Sequence, residues 1–104
     1  MTAAAQVFHA LGDPVRLEMV ERLVRRQPCT IATVSEGLGI TRQGARKHLQ
    51  VLVDAKLVTL EPRGREVQVR LEPSALDPAR TFFARLERQW DRRLEALRRF
   101  VEET

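Results

Sequence analysis

The sequence is poor in thiols: Cys29 is the one cysteine in 104 residues. A lone cysteine forms no intrachain disulfide and no cysteine-built zinc cluster. Histidine is almost as scarce, with only His9 and His48, which lie in unrelated segments. A transition-metal site gathers several thiolate or imidazole ligands, so no within-chain metal site is expected. No Ser-His-Asp or Cys-His arrangement is apparent, and no glycine loop of the kind that cradles phosphate. No apolar run approaches the length that spans a bilayer, and Met1 to Ala5 offers no basic lead into one. The expectation is a cytoplasmic protein without membrane partner or cofactor. The length suits one domain over residues 1–104, with little room for a deep substrate pocket beside its core.

Arginine is what the sequence has in quantity. Lys47 and Lys56 are the only lysines among 18 basic residues, set against 14 acidic ones for a net charge of +4. A basic balance favours polyanionic partners, and the guanidinium fork suits phosphate and guanine.

Turn signals divide the chain at short intervals. A first helix is expected over about Thr2 to Leu11, carrying Val7, Phe8 and Leu11 and closed by Gly12. Asp13-Pro14 opens a second, because aspartate accepts from free amides and proline at the first position has none to waste. Leu17, Val20, Leu23 and Val24 form its expected apolar stripe, and Gln27-Pro28 ends it. Thr30 caps a short third helix running to Leu38, and Gly39 stops it. Thr41 caps a fourth, from about Arg42 to Ala55, with Ala45, Leu49 and Leu52 on its apolar side. The period then changes from helical to alternating. Leu57 to Leu60 and Glu66 to Leu71 read as the strands of a hairpin turning at Pro62-Arg63-Gly64. After Pro73-Ser74, Asp77-Pro78 repeats the opening of the second helix and starts a last one that runs nearly to the end. The fold class is therefore mainly α with a small β-hairpin: a winged helix-turn-helix of five helices and a two-stranded wing.

Thr30 to Ala55 is the helix-turn-helix, whose second helix enters the major groove with its N-terminal residues nearest the base edges. At 100° per residue, a core side of Ala45, Leu49 and Leu52 turns Gln43, Arg46, Lys47 and Gln50 outward, with Arg42 on the flank. Arginine grips guanine and glutamine grips adenine by paired hydrogen bonds. Thr41 and the first-turn amides suit a phosphate. Gly44, in that first turn, costs about 1 kcal/mol against alanine but leaves room for a phosphate or for the preceding helix. Arg63 and Arg65 flank the hairpin tip, where a wing sets them on the backbone or in the minor groove. His48 falls beside the core side and reads as structural, with a phosphate contact as the alternative.

Phe83, Leu86, Trp90, Leu94, Leu97 and Val101 recur at spacings of three and four along the last helix. Such a helix, about 36 Å long over about 24 residues, overhangs a domain whose radius of gyration is about 13 Å. A second copy of the chain is the simplest cover for the stripe, and Val7 and Phe8 join it as candidate interface residues. The opposite face carries Arg85, Arg88, Arg92 and Arg99.

Ala10-Leu11-Gly12-Asp13-Pro14-Val15-Arg16 resembles the "ALADPTR" signature of the ArsR family of winged-helix repressors. Thr41-Arg42-Gln43 with Lys47-His48-Leu49 resembles that family's "S-x-x-x-x-x-KHL" recognition helix, and Val51-Leu52 with Ala55-Lys56-Leu57-Val58 its "VLxxAGLV" continuation. The resemblance covers nearly the whole chain, in the family's order and spacing. It implies a homodimer built from the first and last helices, double-stranded DNA bound at an inverted repeat, and repression relieved by a signal that the sequence does not name.

The chain departs from the family's metal sensors. Where those carry two cysteines in "ELCVCEL", this sequence reads Pro28-Cys29-Thr30-Ile31-Ala32-Thr33-Val34, and no histidine follows Pro78. Cys29 is then a half-buried small residue, a candidate redox thiol, or half of a site shared across a dimer. An assembly module that uses the same scaffold without specific DNA binding is the competing function, and an enzyme the remotest.

Overall fold

A computed structural model describes residues 1–103. Each of the first four helices begins at a side-chain cap that answers backbone amides left free by helix geometry. Thr2 Oγ1 accepts from the Ala5 amide at 3.1 Å and starts α1 (Ala3–Leu11). Asp13 Oδ1 accepts from Val15 at 2.8 Å and Arg16 at 3.1 Å and starts α2 (Pro14–Arg25). Thr30 Oγ1 accepts from Thr33 at 3.1 Å ahead of α3 (Ile31–Ser35). Thr41 Oγ1 accepts from Gly44 at 2.9 Å ahead of α4 (Arg42–Asp54).

The sheet has three strands, one more than the expected hairpin. β2 (Val58–Arg63) and β3 (Glu66–Leu71) pair antiparallel, from Val58 opposite Leu71 to Arg63 opposite Glu66. The extra strand, β1 (Cys29–Thr30), pairs with the other side of β3, Cys29 opposite Val69. It takes the open edge that β3 would otherwise present, and the order is β1-β3-β2. The turn is Gly64-Arg65, with Gly64 at φ +61°. Pro62 therefore stands in β2, where its lack of an N–H is tolerated on an edge strand. The third helix stops at Ser35, short of Leu38, because the chain turns through Gly37 and Gly39 at φ +74° and +69°.

After a 3-10 turn (Pro73–Leu76), α5 runs over Asp77–Glu103. Asp77 does not repeat the Asp13 cap. It is already helical, at φ −57°, and its carboxylate lies 3.6 Å from Arg80.

Val7, Met19, Leu23, Val34, Leu49, Leu52, Leu57, Val58 and Val69 are sealed in one core beneath the helix-turn-helix. Two expectations change here. The buried line of α2 is Met19 and Leu23, with Val15 and Val20 beside it, whereas Leu17 and Val24 are exposed on the other side of the helix. Val7, expected at an interface, is 1% exposed and belongs to the chain's own core. With its side chain sealed inside, it is out of reach of a second copy.

Candidate nucleic-acid interface

Three fully buried side chains set the roll of α4. Ala45, Leu49 and Leu52 face the core, and Thr41, Arg42, Gln43, Arg46, Lys47 and Gln50 are all exposed. Arg42, Arg46 and Lys47 make no salt bridge among the described residues. Gln50 donates from Nε2 to Asp54 Oδ1 at 2.8 Å, so an adenine edge would compete with a carboxylate for that amide. Gly44 has a local explanation: a Cβ there would stand 3.2 Å from Thr41 Oγ1, the atom that accepts from its own amide.

The wing brings β3 alongside. Arg42 and Arg46 from α4, Arg65 and Glu66 from the wing, and Thr30, Ala32 and Ser35 from the α3 region line one open groove of about 360 Å³, with Ile31, Ile40 and Val67 among its walls. Three arginines on one groove offer planar donor forks to phosphates or base edges. Arg63 does not join them: its Nη2 lies 3.6 Å from Glu61 Oε1 on the same strand. The sequence reading had Thr30 only as a cap and did not single out Ser35, since nothing in a short helix's local pattern says which neighbour it will face.

Two arginines of α2 hold this motif from behind: Arg16, which ends the segment that resembles the family signature, and Arg22, which the sequence reading did not single out. Arg22 Nη1 donates to the carbonyls of Val34 at 3.3 Å and Glu36 at 2.6 Å, where α3 ends. Arg16 donates to the end of α1 and to His48 on α4. His48 is half-buried beside the core side of α4, as the helical count places it, and its Nδ1 meets Arg16 of α2. The amide of Arg16, together with that of Val15 and the Arg16 charge, holds the Asp13 carboxyl below the usual carboxylate range.

A helix-turn-helix domain family model matches residues 11–61. A solved ArsR-like transcriptional regulator from Rhodococcus sp. RHA1 is 32% identical, with a TM-score of 0.78 over 94% of this chain and 92% of that one. The chain belongs to the ArsR family of winged helix-turn-helix transcriptional regulators. The arsenical resistance operon repressor of Bacillus subtilis (strain 168) is 36% identical over 59 residues, 57% of this ArsR-family chain. The match spans only 56% of that curated relative's length. A homodimeric winged helix-turn-helix DNA-binding domain from Mycobacterium bovis shares the fold at 23% identity, with a TM-score of 0.62 over 90% of this chain and 83% of that one.

The last helix of this ArsR-family chain gives it a long shape, 70 × 26 × 25 Å. Its 27 residues span about 40 Å at 1.5 Å each, and only Ala79 among them is buried. Its first turns pack on α1, where the Phe8 ring meets Phe82 and Phe83 edge-on at 5.4 Å each. Beyond them Leu86, Trp90, Leu94, Leu97 and Val101 are exposed, Trp90 by 60%. Phe82 and Phe100 are exposed large aromatics that the six-residue stripe left out.

Cys29, the candidate redox thiol, is buried. It is 6% exposed, fixed in β1, and its Sγ donates to the Arg26 carbonyl at 2.7 Å. A sensor thiol has to meet its oxidant, and this one is covered.

Proposed function

We propose that two copies of this ArsR-family chain associate through α5 and the Phe8 side of α1, bind an inverted repeat in double-stranded DNA, and repress transcription by occupying the promoter. One observation carries the reading. The first turns of α4 present Arg42, Gln43, Arg46 and Lys47 to solvent, while the opposite side of the helix is wholly buried. A ridge about two turns long with paired donors is what the major groove admits. Thr41 and the amides beside it suit a phosphate, Gln50 a base edge further along, and Arg65 a minor-groove or backbone contact. Arg63, tied to Glu61, contributes less.

The homodimer is supported by the exposed stripe Phe83, Leu86, Trp90, Leu94 and Leu97, continued by Val101, on a helix that projects beyond its own domain. It is also the assembly described for the Mycobacterium bovis fold neighbour. No helix among the described residues is long and apolar enough to cross a membrane. A cytoplasmic, non-enzymatic regulator is the reading that goes with this DNA-binding role.

Selection of bound fragments from random duplex DNA tests the reading. Recovery of an inverted repeat, with half-sites about 10 base pairs apart or a multiple of it, is the expected result. Unrepeated half-sites would remove the dimer. No enrichment at low salt, with a stable complex to another protein, would replace DNA recognition by an assembly role.

A further inference from the structure

Arg16 uses every face of its guanidinium. Nε donates to the Ala10 carbonyl at 2.7 Å and Nη2 to the His9 carbonyl at 3.3 Å. Both lie in the last turn of α1, where helix geometry leaves carbonyls without partners. Nη1 reaches across the fold to His48 Nδ1 at 3.1 Å, thirty-two positions along the chain. Asp13 Oδ1, busy capping α2, is 4.0 Å from the same ring nitrogen.

The chemistry assigns each atom a role. Arginine has no acceptor and keeps its charge, so His48 Nδ1 receives the hydrogen and the ring's own proton sits on Nε2. One planar group thus joins the end of α1, the start of α2 and the middle of α4.

We propose that Arg16 and His48 are positioning residues for DNA recognition: their hydrogen bond locks the roll of α4 against the α1–α2 pair and so aims Arg46 and Lys47. The proposal rests on the DNA-binding reading above. Ala45, Leu49 and Leu52 fix which side of α4 faces the core, with Val51 and Val53 packed beside them, but apolar contact has little directionality and tolerates a small roll about the helix axis. A roll of about 15° carries a side-chain tip about 6 Å from the helix axis through about 1.5 Å, which breaks a paired contact to a base. The Arg16–His48 bond is directional and anchored on two further carbonyls. Because α1 borders the proposed interface, the same group also ties the reading helix to the surface that spaces it from its twin.

Isosteric substitutions separate this role from a direct phosphate contact by the outer ring nitrogen. In His48→Asn the amide oxygen occupies the place of Nδ1. In His48→Gln the terminal amide reaches the place of Nε2 instead, and His48→Leu keeps the bulk with neither. The probes are a duplex carrying the selected inverted repeat and a scrambled duplex of equal length, at one salt concentration, with the thermal midpoint of each variant measured alongside.

The expected result is that His48→Asn keeps the parent's ratio of specific to scrambled affinity within about threefold. His48→Gln, His48→Leu and Arg16→Lys lower it by about tenfold, the scale of one hydrogen bond to a charged group, with scrambled-duplex affinity unchanged. If Gln preserves the ratio and Asn loses it, the ring touches DNA directly and the proposal is overturned. It is also overturned if all the variants keep the ratio, or if both affinities fall in step with the thermal midpoint. A parent that prefers no duplex removes the DNA reading itself, and this role with it.

Discussion

The Glu36 carbonyl oxygen sits 2.6 Å from Arg22 Nη1, so a side chain of α2 closes the end of a helix on which it does not lie. Arg22 Nε is held in turn by Glu18 at 3.1 Å. The five residues of α3 are too few to be stable by themselves, and the turn that leads to α4 starts at this carbonyl. Replacing Arg22 by alanine is expected to lower stability by about 1–2 kcal/mol, the lower part of the range for charged hydrogen bonds because the side chain is 26% exposed. Urea unfolding measures it. Arg22→Lys should recover only part, since an ammonium cannot span the two carbonyls and Glu18 as a fork does. A loss within error for Arg22→Ala would make the contact incidental.

Arg46 and Arg63 should differ in kind. Arg46 is exposed on α4 and lines the groove, whereas Arg63 is engaged by Glu61. Arg46→Ala is expected to cost about 1–3 kcal/mol against the selected site, with discrimination lost at one base position. Arg63→Ala should weaken all duplexes slightly and evenly. Titrations at several salt concentrations read both effects, because a lost phosphate contact lowers the slope by about one. Equal effects on matched and mismatched sites for Arg46→Ala would move base reading to another side chain.

What could be read from the sequence follows how local each cause is. Asp13, Thr30 and Thr41 cap their helices as read, because a cap needs only its own first turn, whereas Asp77 does not, because the 3-10 turn before it has already made it helical. The outward side of α4 was legible for the same reason: three apolar residues at helical spacing leave one orientation. Val7 was not, because core and interface both ask for apolar residues, and only packing decides between the chain's own interior and a partner. Half of the α2 stripe failed similarly: Leu23 is buried and Val20 packs beside it, but Leu17 and Val24, equally apolar, are exposed while Met19 and Val15 take their place. A two-residue strand such as Cys29–Thr30 has no period to detect. Arg16–His48 and Arg22–Glu36 depend on contacts between helices that no local pattern encodes.

The α5 stripe predicts a concentration-dependent assembly. Trp90→Ala is expected to weaken association by about 2 kcal/mol, roughly thirtyfold in the dissociation constant, and Leu94→Glu to abolish it, as a carboxylate cannot be buried unpaired. Sedimentation equilibrium gives the mass directly. Both side chains are more than half exposed on their own domain, at 60% and 56%, so each isolated subunit should remain folded by circular dichroism. An unchanged mass for both variants would place the contact elsewhere.

The covered Cys29 thiol predicts chemical silence. A thiol reagent should react with the native chain only through opening of the structure around β1, and an opening that costs about 3 kcal/mol slows the reaction about a hundredfold. In urea the thiol should react at once. Cys29→Ala should leave DNA affinity the same with and without peroxide. A fast native reaction, or peroxide release of DNA from the parent alone, would restore the thiol as a sensor.

Asp13 gives the chain a defined acid limb. Its carboxyl is held below the ordinary aspartate range because the folded state fixes the Arg16 amide, then the Val15 amide and the Arg16 charge, around the ionised form. A carboxyl with a depressed folded value adds stability that is fully present above the unfolded value and is lost as pH falls through the folded one. Asp13→Asn keeps a capping oxygen of comparable strength and has nothing to titrate. The melting temperature of the parent is therefore expected to exceed that of Asp13→Asn near neutral pH, and the gap should narrow as pH drops below about 4, where an unperturbed Asp begins to protonate. Other carboxylates titrate in both proteins, so the difference between the two melting curves isolates this one. A gap that is constant with pH would mean that the cap works through its shape alone, and a gap that widens in acid would reverse the sign of the argument.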